Sequence, residues 1–177
     1  MRRVTLIAGV LLCCVRVTAA WQYASSPRMK FDQYAVREAF HGKPASPKLV
    51  TRYERLYRTR IRDGARKGPN FAGHFTVAVW GCGTGCYQFV IVDEKTGTVY
   101  VPSFESVEWS PAAEKEILWG LQYRKNSRLL MFSGCPRGDE KRCGAYYYEW
   151  NGKELVPIKI IHGPIGTFGD NGAGSNE

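Results

Sequence analysis

The residues of this chain with the clearest chemistry are four cysteines, Cys82, Cys86, Cys135 and Cys143. Cys82 and Cys86 enclose Gly83-Thr84-Gly85, and Trp80-Gly81 leads into them. Cys135 and Cys143 enclose a longer stretch that contains Gly138. Thiols so placed have three outlets: a disulfide framework, a metal centre, or thiol–disulfide exchange. Zinc would have to accept irregular ligand spacings. Exchange chemistry favours a two-residue spacing at a helix N-terminus, which lowers a thiol pKa, and Cys82-x-x-x-Cys86 has neither. A disulfide framework remains. Four cysteines permit three pairings, and the two local ones, Cys82–Cys86 and Cys135–Cys143, are expected because each flanks a Gly-containing loop that can bend back. Closing loops this short stabilises the fold by roughly 2 to 3 kcal/mol each in the chain-entropy model.

Disulfides imply an oxidising compartment, and the N-terminus agrees. Arg2 and Arg3 precede an apolar run from Val4 to Val15, and Thr18-Ala19-Ala20 supplies the small residues of a cleavage site. Residues 1–20 therefore read as a signal peptide. Their apolar run is shorter than the about 20 residues a bilayer span needs, and no later segment is apolar enough. The flanking residues of a twin-arginine motif are missing, and Leu12 before Cys13 breaks a lipobox. Three arginines leave with the leader and no acid does, so Lys+Arg falls from 25 to 22 against 16 Asp+Glu, a net charge of +6. Cys13 and Cys14 leave too, so six cysteines become four.

The stretch from Trp80 to Cys86 is the most unusual in the chain. Gly81, Gly83 and Gly85 let backbone approach another group closely, and successive amides in such a loop can cradle an anion. Strand-like residues follow it rather than a helix, so it is no dinucleotide fingerprint, and it lacks the lysine of a phosphate-binding loop. It reads either as a stapled turn that fixes a hairpin or as a loop, with Trp80 and Thr84, that contacts a ligand or partner. Of the three histidines, His41, His74 and His162, only His74 opens the strand leading to this loop. No serine or cysteine stands in a nucleophile-elbow context and no histidine has a metal-like companion, so no cofactor or metal is expected.

The strongest electrostatic feature lies upstream. Between Lys43 and Lys67 nine basic residues face only Glu54 and Asp63. The segment reads as a helix with Ser46 as N-cap and Pro47 at its first position. Leu49, Tyr53, Leu56, Tyr57 and Ile61 recur at three- and four-residue steps as its buried stripe. Arg52, Arg55, Arg62 and Arg66 lie on another face. Such a face suits a protein partner or an acidic component of the cell envelope. Nucleic acid is not expected, since no recognition motif appears and the chain is exported.

Beyond Pro69 the period changes to two. His74 to Trp80, Tyr87 to Asp93 and Thr98 to Val101 read as strands. Leu118 to Arg124 with Arg128 to Ser133, and Gly144 to Trp150 with Glu154 to Ile161, read as hairpins, the second around Asn151-Gly152. Phe31 to Val36 reads as a short strand, with Arg37 to Phe40 after it equally readable as helical, and residues 114–120 are ambiguous. Alternation sends Tyr146, Tyr148 and Trp150 to one face and Tyr147 to the other, so one set is core and the other is a candidate exposed surface. Strands joined by tight turns are antiparallel. The expectation is one α+β domain over residues 21–168, with a basic amphipathic helix packed on a hairpin-built sheet, and a frayed tail at 169–177.

The run Gly68-Pro69-Asn70-Phe71-Ala72-Gly73-His74-Phe75, followed by Trp80-Gly81-Cys82-Gly83-Thr84-Gly85-Cys86, resembles a family of small exported bacterial proteins. In that family a GPNFAGHY turn precedes a strand and a WGCGTGC loop. Phe31 to Tyr34 and Gly42-Lys43-Pro44 are similar to it as well. The resemblance covers most of the mature chain. It implies a periplasmic protein and carries no catalytic residue across.

Two functions fit these readings. The first is a non-catalytic binding module of inhibitor or immunity type, stapled by two local disulfides. The alternative is a periplasmic enzyme: a thiol oxidoreductase using Cys82 and Cys86, or a hydrolase using His74. An enzyme would need a pocket that gathers the Gly–Cys loop, His74 and a carboxylate.

Overall fold

The computed structural model describes residues 29–37, 40–109 and 120–162. The expected leader, the tail and most of the ambiguous segment 114–120 lie outside the described residues. Eight strands form: β1 (Phe75–Gly83), β2 (Cys86–Asp93), β3 (Val99–Tyr100), β4 (Ser106–Glu108), β5 (Leu121–Tyr123), β6 (Leu129–Pro136), β7 (Gly144–Trp150) and β8 (Leu155–His162). Every pairing between them is antiparallel. The order is β1-β2-β4-β6-β7-β8, with β3 also on β2 and β5 also on β6.

Strand β4 is the joint between two halves. It pairs with the start of β2 and with the end of β6. The halves turn one face toward each other. Phe75, Val77, Phe89 and Ile91 of the first half share a core with Leu130, Phe132, Tyr146, Tyr148 and Trp150 of the second. The Phe75 and Trp150 rings are 5.2 Å apart. Period-two alternation sends the intervening residues outward, and each outer face has its own cover. Ala78, Trp80, Val90 and Val92 lie beneath Ile61 and Ala65 of the basic helical segment. Leu129, Met131, Ala145 and Tyr147 lie beneath Met29, Phe31 and Tyr34. Both aromatic sets of β7 are thus buried, and Tyr147 is no exposed surface: the segment Phe31–Tyr34 covers it. That segment is a 3₁₀ turn rather than a strand, followed by a single bridge from Ala35 to Ser127.

The basic segment differs from its sequence expectation in two ways. It starts later, as α1 (Arg52–Leu56) and α2 (Arg58–Ala65). Ser46 and Pro47 precede it outside any helix, and just beyond them the Lys48 amide donates to the Gly97 carbonyl at 2.7 Å and residue 48 bridges Thr98. The N-cap is Thr51: its hydroxyl accepts from the Glu54 amide while the Glu54 carboxylate accepts from the Thr51 amide, a reciprocal capping box. The second difference is Leu56, which is 69% exposed. The helix breaks at Tyr57 (φ −97°, ψ 19°), and the residues facing the sheet are the four-step row Tyr53, Tyr57, Ile61 and Ala65. Gly64 belongs to this contact. A Cβ there would stand 2.3 Å from Ala78 Cβ, so the helix lies on β1 at a distance only glycine permits.

Candidate functional site

The Gly–Cys loop closes the β1–β2 hairpin. Gly81 pairs with Tyr87 and Gly83 with Cys86, and Cys82 bulges between them. Cys82 and Cys86 are joined by a disulfide, with Cα atoms 5.1 Å apart. Gly85 sits at φ +70°, and its carbonyl accepts from the Trp109 amide at 2.7 Å. The turn is thus held by a covalent bond and by the chain leaving β4. Residues 81–85 are all exposed. Trp80 is not: it is buried beneath Tyr57, ring centroids 5.1 Å apart, and its indole N–H donates to Gln88 Oε1 at 2.8 Å. Trp80 therefore anchors the loop rather than presenting itself to a partner.

The second disulfide, Cys135–Cys143, joins the end of β6 to the start of β7 around a 3₁₀ turn, Glu140–Arg142. Both cysteines are buried. The two local pairings are those the sequence favours. Cys82, Cys86, Cys135 and Cys143 are thus all bonded, which leaves no thiolate among them for zinc. Among the described residues no group of three or more His, Cys, Asp or Glu could hold a metal.

His74 stands at the far end of β1. Its Nε2 is 3.8 Å from Asp93 Oδ1. The Asp93 carboxylate is occupied by the β2–β3 turn: Oδ1 accepts from the Lys95 amide at 2.8 Å and the Thr96 amide at 3.3 Å, and Oδ2 from the Thr96 hydroxyl at 2.8 Å. Beside it Glu94 is fully buried, and among the described residues neither of its carboxylate oxygens has a hydrogen-bond partner. Burial pushes its pKa up, and the Asp93 charge adds to this. The neighbouring Thr76 hydroxyl favours the ionised form, but its proton goes to the Gly68 carbonyl at 2.8 Å. Eight residue steps along β1, roughly 25 Å at about 3.3 Å per step, separate His74 from Cys82. The fold therefore puts the imidazole with its carboxylates at one end of β1 and the Gly–Cys loop at the other. It does not bring them into one pocket.

The motif residues before β1 have structural duties. Phe71 is fully buried in the central core. Ala72 and Gly73 turn with positive φ and donate their amides to the Ser127 and Lys125 carbonyls. The Asn70 carboxamide bonds the backbone of Val77. The sequence offered no sign of this last role, which depends on β1 being an edge strand.

The basic face is where the sequence places it. Arg52, Arg55, Arg62 and Arg66 are exposed, as are the other five basic residues between Lys43 and Lys67. Of the two acids in that stretch, Glu54 is buried as a cap and Asp63 pairs with Arg66. The surface charge is therefore almost all positive. Arg62 and Arg66 also line a cavity of about 310 Å³ against residues 44–47. The Tyr57–Trp80 contact joins the start of this helical layer to the base of the Gly–Cys loop, while Arg62 and Arg66 lie toward the other end of the hairpin, against residues 44–47. A second cavity of about 180 Å³, between Tyr100, Phe104, Trp150 and Glu154, opens between the two halves of the sheet.

Among the described residues no helix is long and apolar enough to cross a membrane. No family, curated protein or solved structure matches the chain.

Proposed function

We propose that this chain is an exported, non-catalytic binding module that docks an acidic protein through the Gly–Cys loop and the basic face of α1 and α2. The observation that carries the reading is the Tyr57–Trp80 contact, which seats the arginine-bearing helical layer on the base of an exposed, cross-linked loop. The leader-like N-terminus, the two disulfides and the resemblance to small exported proteins support export to the periplasm. The alternative enzyme reading has less support. His74 lies a strand's length from the loop, and Asp93 already serves a turn.

Capture from a periplasmic extract tests the reading. The mature chain, immobilised, should retain a partner stoichiometrically and lose it in rising salt. Alanine at Arg52, Arg55, Arg62 and Arg66 together should weaken retention at least about tenfold while leaving the melting transition in place. Equal retention by both proteins, or disulfide exchange activity that disappears with Cys82→Ser/Cys86→Ser, overturns it.

A further inference from the structure

Strand β1 is an edge of the sheet, and the two halves of that edge are treated differently. Over the first half the outward backbone groups are satisfied. The Phe75 amide donates to the Phe71 carbonyl at 3.0 Å, and the Phe75 carbonyl accepts from the Asn70 and Phe71 amides. The Val77 amide donates to Asn70 Oδ1 at 2.8 Å, and the Val77 carbonyl accepts from Asn70 Nδ2 at 3.2 Å. A single side chain thus imitates a neighbouring strand at Val77.

Backbone groups that point outward at residues 75 and 77 do so again at 79 and 81, because the ladder alternates with period two. Among the described residues, the outward groups of Val79 and Gly81 have no partner. Val79 is 44% exposed and Gly81 is exposed. Unused edges are normally blunted by proline, lysine or a bulge. The opposite edge, β8, has all three: Pro157, Lys159 and a register shift against β7. The open half of β1 has none of these before the bulge at Cys82, and the Cys82–Cys86 bond fixes its end.

Charge above this edge selects the occupant. Helix α2 lies over β1, and its Arg62 and Arg66 flank faces residues 44–47, which hydrogen-bond the β2–β3 turn. The other flank, with Arg60, Asp63 and Lys67, therefore lies on the side of the open edge. Arg66 holds the Asp63 carboxylate, so the flank is cationic. A second copy paired β1 to β1 would set two such flanks side by side and repel.

We propose that the Val79–Gly81 edge of β1 accepts an extended, acidic segment of a partner protein as an added strand. The proposal rests on the binding-module reading and names where and how that module engages its partner. Main-chain hydrogen bonds to residues 79 and 81 supply the pairing, and alternate acidic side chains lie under Arg60 and Lys67.

The test uses the isotope-labelled mature chain and a capped synthetic peptide of alternating valine and glutamate. With peptide at about ten times its dissociation constant, exchange of the Val79 and Gly81 amides should slow about tenfold. A valine–lysine peptide should give no protection. Val79→Pro removes one outward donor, a change edge strands tolerate, and should abolish protection at Gly81. Arg60→Glu/Lys67→Glu, which alters only exposed positions, should do the same. Protection elsewhere, equal binding of both peptides, or protection that grows with protein concentration alone overturns the proposal. If periplasmic capture still depends on the basic face while these amides stay unprotected in the captured complex, the edge proposal fails and the binding-module reading survives.

Discussion

Gly64 and Ala78 touch so closely that a Cβ on residue 64 would stand 2.3 Å from that of Ala78. In sequence Gly64 looks like a weakness in the helix, since glycine costs up to about 1 kcal/mol relative to alanine in a helix interior. In the fold it sets the depth at which α2 rests on β1. Gly64→Ala should therefore destabilise the protein, by about 1–3 kcal/mol of overpacking, despite its better helix propensity. Urea melts of Gly64→Ala, Ala78→Gly and the double variant would check this. The double variant should be less destabilised than the two single changes together.

Ile61 and Leu56 separate the true helical face from the apparent one. Ile61 is fully buried and Leu56 is 69% exposed. Ile61→Ala should cost about 2–5 kcal/mol. Leu56→Ala should fall within about 0.5 kcal/mol of wild type. Denaturation midpoints at matched m-values decide it, and comparable losses would contradict the facial assignment.

The sequence carried the local part of this fold and little of the long-range part. Hairpins were legible because alternation and turn chemistry are local: Asn151 Oδ1 accepts from the Lys153 and Glu154 amides in the turn that Asn-Gly announces. The Gly–Cys loop, both disulfides and the exposed arginines were legible for the same reason. Ser46-Pro47 imitates a helix start in sequence, whereas Thr51 and Glu54 form the actual cap. An apolar stripe continued through one unbroken helix buries Leu56, and the break at Tyr57 turns it to solvent instead. Ser127 reads as a turn residue. Yet it is buried, its hydroxyl donates to the Phe31 carbonyl at 2.8 Å, and its carbonyl takes the Ala72 amide. Neither contact is visible before the chain is folded. Asn70 and Glu94 were missed on the same ground: their roles belong to the edge and the interior of a sheet that residues far apart assemble.

Glu94 gives the protein a pH dependence. Its pKa in the folded state lies above the ordinary 4.5, with burial the main cause and the Asp93 charge a lesser one. A carboxyl with a raised folded-state pKa binds its proton more tightly folded than unfolded. Its contribution to stability is complete below the unfolded value and is lost as pH rises through the folded one. Glu94→Gln keeps the shape and removes the charge. The variant should match wild type near pH 4 and become the more stable of the two as pH rises past the folded-state value. Subtracting the two stability profiles cancels the groups that do not interact with Glu94. A difference that stays flat with pH would refute the role given to Glu94.

The two disulfides differ in burial, and so should their removal. Cys82 is exposed and its loop is short; Cys135 and Cys143 are both buried. In the chain-entropy model the first bond contributes about 2 kcal/mol and the second slightly more, about 2.6 kcal/mol. Cys82→Ser/Cys86→Ser leaves its hydroxyls at the surface and should lose little beyond the entropic term. Cys135→Ser/Cys143→Ser puts two hydroxyls into the sheet where β6 meets β7, which costs about 1–3 kcal/mol more for each one left without a partner. Access adds a kinetic difference, since a reductant must reach a sulfur to attack it. Mild reduction followed by mass-resolved alkylation should label Cys82 and Cys86 first, with Cys135 and Cys143 protected until the sheet opens. Simultaneous labelling of all four in the folded protein would show that the inner bond is not shielded as the structure places it.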